Sequence, residues 1–128
     1  MAHTKKILIV DDEKSVVQLC QIILEAAGYE VRGAYSGRQA LSMITEEVPD
    51  LVLLDVMMPG MDGIEVCRRI RSEYETYPRI VMYTADERDA TRNSSLTAGA
   101  NAILTKETPV YDIPSKIVNY LIPTGPLQ

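Results

Sequence analysis

The chain has 128 residues, 46 % of them hydrophobic, with no Trp and no Phe, which fits one domain of ordinary size around an aliphatic core. Its formal net charge of −5 argues against direct nucleic-acid binding, since a phosphate-tracking surface needs an excess of Lys and Arg, and it is compatible with an acidic cation site. No stretch reads as a membrane span or a secretory signal, because the first apolar run ends after four residues in Asp11-Asp12, so the expected location is the cytoplasm.

The apolar run at residues 7–10 does not alternate with polar residues, as in a strand covered on both faces. Residues 13–27 have helical spacing, with Val16, Leu19, Cys20, Ile23 and Ala27 on one face and Gly28 as the stop. Residues 30–35 are mixed and suit an edge strand. Ser36 can cap a helix over residues 37–46, in which Ala40, Leu41 and Ile44 are apolar. A second unbroken apolar strand follows at residues 51–54, then a helix at residues 63–74 with Asp62 as its cap and Ile64, Cys67 and Ile70 inward.

Pro78 blocks that helix before a strand at residues 80–84. Asp86 or Glu87 starts a poor helix at residues 88–98, whose centre Thr91-Arg92-Asn93-Ser94-Ser95 has low helix propensity. A last apolar strand at residues 102–105, again of the kind covered on both faces, precedes a helix with Pro114 in its first turn, ending near Leu121. Residues 1–122 then form one domain, and residues 123–128, with their Pro-Thr-Gly-Pro run, form a tail or the start of a linker. Cys20 and Cys67 sit at apolar helical positions and read as buried small hydrophobes, neither a disulfide framework nor a zinc site.

Five strands alternating with five helices call for an α/β doubly wound sandwich with right-handed crossovers. The polar residues fall where that architecture binds ligands. Asp11 and Asp12 follow the first strand, Asp55 follows the third, Thr84 ends the fourth and Lys106 comes after the fifth. The carboxyl ends of parallel strands share one edge of the sheet, and the ligand crevice lies where strand order reverses. If the order is 2-1-3-4-5, the three carboxylates converge there.

Two like charges ~4 Å apart repel by roughly 4 kcal/mol at an effective dielectric of about 20, so such a cluster invites a cation, and Mg²⁺ suits it. A carboxylate nucleophile, a hydroxyl, an ammonium and Mg²⁺ make a kit for phosphoryl transfer. Ala85 adds a backbone N–H and leaves room for a phosphate donor. Taken singly, these residues are ordinary: Thr84 is a good strand residue and Lys106 a solvated cation. Asp50, Asp62 and Asp89 are given only turn or cap roles.

With those residues in view, the chain resembles the receiver domain of two-component response regulators, of the chemotaxis-regulator type. Asp55-Val56-Met57-Met58-Pro59-Gly60-Met61-Asp62-Gly63 is similar to that family's Asp-x-x-Met-Pro-x-x-x-Gly loop, and Val10-Asp11-Asp12-Glu13, Thr84-Ala85 and Lys106 complete the pattern. The resemblance implies the flavodoxin-like fold, with a five-stranded parallel sheet in the order 2-1-3-4-5. It implies that Asp55 is the phosphoacceptor, that Asp12, Asp55 and the main-chain carbonyl of Met57 ligate Mg²⁺, and that Asp11 does so partly through water. Thr84, Ala85 and Lys106 would hold the phosphoryl group.

The implied donor is a phosphohistidine of a sensor histidine kinase or phosphotransfer protein, or a small acyl phosphate. An output domain or effector would read the switch, and the face built from the fourth helix, fifth strand and fifth helix is a possible dimer surface. The protein would act only on its own phosphorylation and dephosphorylation, so it is not expected to be an enzyme in the ordinary sense.

Two departures fall near the fifth strand. The family's read-out pairs the threonine, here Thr84, with an aromatic residue three positions before the Lys, where this chain has Ile103. The Pro that usually follows the Lys, commonly through a cis bond, is Glu107, so a trans Lys106–Glu107 bond is expected. These changes keep open a non-switching pseudo-receiver that only binds. A Mg²⁺-dependent aspartate-nucleophile phosphatase is disfavoured, because the second Asp it needs two residues beyond the nucleophile is replaced by Lys14 or Met57.

Overall fold

Branched aliphatic residues running without polar interruption make the inner strands. β1 (Lys6–Val10) and β3 (Leu51–Leu54) bury every aliphatic side chain they carry, as strands do when helices cover both faces. The computed structural model describes residues 4–122. Between and after these strands lie α1 (Lys14–Ala26), β2 (Glu30–Ala34), α2 (Gly37–Glu46), α3 (Gly63–Glu73), β4 (Arg79–Thr84), α4 (Asp89–Thr97), β5 (Ala102–Thr105), a single 3-10 turn at Val110–Asp112, and α5 (Ile113–Leu121). The five strands pair in parallel in the order β2-β1-β3-β4-β5. This is the flavodoxin-like doubly wound sheet that the resemblance implies, with β2 on an edge as expected.

Successive strand residues point to opposite faces, and two cores result. Leu8, Val10, Val52, Leu54, Ile80 and Met82 pack under α2, α3 and α4. Ile7, Ile9, Leu51, Leu53, Val81 and Tyr83 pack under α1 and α5. Cys20 lies in one core and Cys67 in the other, both as free buried thiols. Ser36 caps α2 by accepting from the Gln39 N–H, and Asp62 caps α3 by accepting from the Glu65 N–H, both as the cap positions predict. Among the described residues no helix is long and apolar enough to cross a membrane.

Four details differ from expectation. The inward residues of α1 are Val17, Cys20 and Leu24, whereas Val16 and Ile23 are half-buried and Leu19 and Ala27 exposed. The helix is aliphatic nearly all round, so two stripes compete and packing selects the one that fits under the sheet. β5 is half-buried along its whole length, because it is the second edge strand and α4 and α5 cover it only in part. Asp50 does more than turn the chain: its carboxylate accepts from the Lys6 N–H at 2.7 Å and from the Tyr77 hydroxyl, tying the start of β1 to the end of the α3–β4 connection. Arg88, not Asp86 or Glu87, is the N-cap of α4, and it makes no side-chain cap bond.

The only cis peptide bond among the described residues is Tyr77–Pro78, so the Lys106–Glu107 bond is trans, as expected. The tail at residues 123–128 lies outside the described residues.

Candidate functional site

Strand register brings the polar residues together. Val10 pairs with Leu54, Leu54 with Met82 and Thr84 with Thr105. The residues just past these pairs, Asp11, Asp55 and Lys106, therefore emerge along one edge of the sheet with Thr84. Backbone bonds extend the ladder by a step on each side: Asp11 N–H to the Ala34 carbonyl, Asp55 N–H to the Val10 carbonyl, and Lys106 N–H to the Thr84 carbonyl.

A carboxylate oxygen from each of Asp11, Asp12 and Asp55 lies within 4.8 Å of the others. Asp11 and Asp55 are buried and Asp12 is exposed. The Lys106 ammonium donates to Asp11 Oδ2 at 2.6 Å and to Asp55 Oδ2 at 3.5 Å. The other oxygens of this pair take backbone donors: Asp11 Oδ1 accepts from the Glu13 N–H, and Asp55 Oδ1 from the Met57 N–H. Asp11 thus shapes the turn into α1 while its second oxygen faces the cluster.

Three carboxylates against one ammonium leave the corner with net negative charge. Burial pushes the Asp55 carboxyl above its ordinary pKa; the Lys106 charge offsets part of this, and Asp11 adds to it. Burial alone would lower the Lys106 ammonium, but the hydrogen bond from Lys106 to Asp11 and the charges of Asp55 and Asp11 together hold it above its usual value. All-oxygen donors in an anionic, partly open corner fit a small hard divalent cation that retains water ligands.

The loop after Asp55 is shaped by glycine. Gly60 has φ +75°, a left-handed conformation that glycine reaches without strain. A Cβ on Gly63 would clash with the Asp55 carbonyl oxygen, so only glycine lets the start of α3 sit against the Asp55 backbone. Met57 is exposed, at the mouth of an open groove of about 500 Å³ that Pro59, Asp62, Asp86 and Arg88 help to line.

Thr84 is fully buried at the end of β4, and its hydroxyl accepts from the Asp86 N–H at 3.2 Å. Ala85 is exposed beside it. Ile103 is half-buried on β5 and packs against the core under α3 and α4. All five clustered positions anticipated from the strand ends therefore share one corner, with Ala85 and Met57 on its rim and Ile103 away from it on the sheet face.

Two residues were not anticipated there. Asp86 accepts from Arg88 Nε and Nη2, from the Arg88 backbone N–H and from the Thr91 hydroxyl, and these donors hold its carboxyl well below the usual carboxylate range. The spacing of Asp86, Arg88 and Thr91 across a loop and a first helical turn was the available signal. Tyr83 stands under Lys106, with the ammonium 5.6 Å from its ring centroid. In the sequence it is hidden in an apolar strand and reads as core.

A family model described as the response regulator receiver domain matches residues 7–118. Solved structures agree with it. A response-regulator candidate from Chloroflexus aurantiacus J-10-fl is 36 % identical, with 93 % of this chain and 98 % of that one covered at a TM-score of 0.85. A CheY-like receiver domain protein from Methanospirillum hungatei JF-1 is 32 % identical over 93 % and 94 % of the two chains, at a TM-score of 0.88. The BeF3-activated N-terminal receiver domain of Klebsiella pneumoniae RstA is 33 % identical over 92 % and 99 %, at a TM-score of 0.85. With the family model covering most of its length, this chain belongs to the response regulator receiver domain family.

Proposed function

We propose that this receiver domain is a phosphoacceptor: Asp55 takes a phosphoryl group from a phosphohistidine of a sensor kinase or phosphotransfer protein, and the change is passed on to an output. The observation that carries this reading is the placing of Lys106 between the buried carboxylates of Asp11 and Asp55, with Asp12 completing a set of three oxygens. A pseudo-receiver that only binds has no need to keep a half-buried ammonium at that point.

Asp55 would be the nucleophile, its oxygen attacking phosphorus while the donor imidazole leaves. Asp12, Asp55 and the Met57 carbonyl would hold Mg²⁺ directly and Asp11 partly through water; the cation would balance charge on the phosphoryl oxygens. Lys106 and the Thr84 hydroxyl would bind those oxygens, with the Ala85 N–H beside them. The Thr84 hydroxyl can donate this way while still accepting from the Asp86 N–H, which couples the loop after β4 directly to the new group.

For the donor protein, α1 offers a surface: it begins directly behind Asp12 and Glu13 and exposes Leu19 and Ile22. The net charge of −5 keeps direct nucleic-acid contact out of this proposal, and the cytoplasm is where a kinase-fed domain of this kind would work. The output, and any pairing through α4, β5 and α5, are part of the same reading; α4 exposes Leu96 there.

The test is incubation with a small acyl phosphate and Mg²⁺, read by intact mass. One added phosphoryl group is expected, lost in Asp55→Asn and lost on chelation of the metal. Equal labelling of Asp55→Asn would overturn the assignment.

A further inference from the structure

We propose that Tyr83 is a positioning residue for Lys106, holding the ammonium at the acidic corner by two separate contacts; this rests on the phosphoacceptor reading above. Alternation along β4 turns Tyr83 toward α1 and α5, where it is 4 % exposed. A phenol so placed needs a partner for its hydroxyl. Tyr83 donates that hydroxyl to the main-chain carbonyl of Thr108 at 2.9 Å.

Thr108 is not an arbitrary acceptor. Its own N–H returns to the Thr105 carbonyl at 2.9 Å, closing a tight turn over residues 105–108, and the Lys106 N–H is bonded to the Thr84 carbonyl at 2.8 Å. The turn that carries Lys106 is thus tied to β4 at both ends, once through backbone and once through the Tyr83 hydroxyl.

The second contact acts on the side chain itself. Lys106 Nζ stands 5.6 Å from the centre of the Tyr83 ring, within the distance at which an aromatic face attracts an ammonium. Lys106 is anchored on an edge strand that is only half-buried, and its four-carbon stem has many rotamers to lose. A buried ring against it removes much of that freedom and leaves the ammonium directed at Asp11 and Asp55. An aliphatic residue in the same core slot, of the kind found at Val81 in the same strand, would fill the space under α1 and α5 but provide neither contact.

The test combines kinetics with a double-mutant cycle. With saturating Mg²⁺ and a small acyl phosphate, Tyr83→Phe, which keeps the ring, is expected to phosphorylate Asp55 about twofold to threefold more slowly, and Tyr83→Leu about tenfold more slowly. Both losses should fall on the maximal rate and not on half-saturation by the donor. In a Lys106→Ala background Tyr83→Leu is expected to change the rate by less than about twofold; a merely structural role for Tyr83 would persist there, and such persistence would overturn the proposal.

NMR of the unphosphorylated protein gives a readout independent of phosphoryl transfer. The Lys106 ε-methylene protons should be shifted upfield by the Tyr83 ring and return to ordinary values in Tyr83→Leu, whereas unshifted protons in the unsubstituted protein would overturn the proposal. If that protein accepts no phosphoryl group at all, the assignment of Asp55 fails, and the ring shift still decides whether Tyr83 holds Lys106. Should Tyr83→Leu fail to fold, Tyr83→Phe and the ring shift carry the decision.

Discussion

β3 and β5 are each four residues long, yet they sit in different surroundings. Leu51–Leu54 are all buried, with Val52 and Leu54 packed on one face and Leu51 and Leu53 on the other. Ala102–Thr105 are all half-buried. The helices follow suit. α3 turns Val66, Cys67 and Ile70 inward, whereas α4 turns Thr91 and Ser95 inward, and the Ser95 hydroxyl has no hydrogen-bond partner.

Asp11 and Asp55 are therefore mounted on the part of the sheet that is hardest to move. The loop joining Thr84 to Asp86 lies beside the part with least apolar burial and is held by hydrogen bonds to Thr84, Arg88 and Thr91. Segments that respond to a ligand come from this less stable end of a structure. On the proposed function, the chemistry would be fixed on one side of the corner and the response free to occur on the other.

The contrast is broken most directly by truncating a leucine on each side. Leu53→Ala removes a side chain that is 1 % exposed and should cost about 2–5 kcal/mol of stability. Leu104→Ala on half-buried β5 should cost ~1–2 kcal/mol, since less is buried and the site can collapse more easily. Urea unfolding of the two variants measures both values, and equal costs would remove the distinction.

Gly63→Ala tests the fixed side at the loop. The added methyl meets the Asp55 carbonyl oxygen, which as backbone can yield only by moving Asp55 itself, so a loss of about 1–3 kcal/mol is expected. Phosphoryl uptake should slow in the same variant.

Much of that fixed side was legible in the sequence. The unbroken apolar run at residues 51–54 announced a strand covered on both faces, and parallel strand ends were enough to bring Asp11, Asp55 and Lys106 to one edge. The inward face of α1 was not legible, because Val16, Val17, Leu19, Ile22, Ile23 and Leu24 supply two competing stripes and the choice depends on what the sheet presents. Asp50 and Tyr83 were missed for a related reason. Each makes its decisive contact with a residue far along the chain, to Lys6 and Tyr77 in one case and to Thr108 in the other, and no local spacing encodes that.

On the responsive side the effects should be smaller. Ser95→Ala removes a buried hydroxyl that bonds to nothing and improves helix propensity, so a gain of about 1 kcal/mol is expected by urea unfolding. A loss would mean that the hydroxyl is satisfied in solution.

Smaller still is the effect of Asp86→Asn, which sharpens the comparison through pH. The Asp86 carboxyl is held below the ordinary value by hydrogen bonds from Arg88 and Thr91. A lowered carboxylate pKa contributes stability in full above the unfolded value of about 3.9 and loses it as pH falls through the folded value. Asp86→Asn should melt at a lower temperature than the unsubstituted protein at pH 7, and the gap should narrow below about pH 4. A gap that does not change with pH would show that the Asp86 charge plays no part in holding the loop.

On the proposed function, the domain would be fixed where Asp55 takes up the phosphoryl group and free where it responds. Backbone amide NMR with Mg²⁺, recorded before and after addition of beryllofluoride as a stand-in for the phosphoryl group on Asp55, tests it most directly. Residues 84–92 should show the largest changes, and the amides of Ile103 and of residues 7–10 and 51–54 should shift little. Changes confined to Ile103 and its neighbours, with residues 84–92 unmoved, would contradict the account.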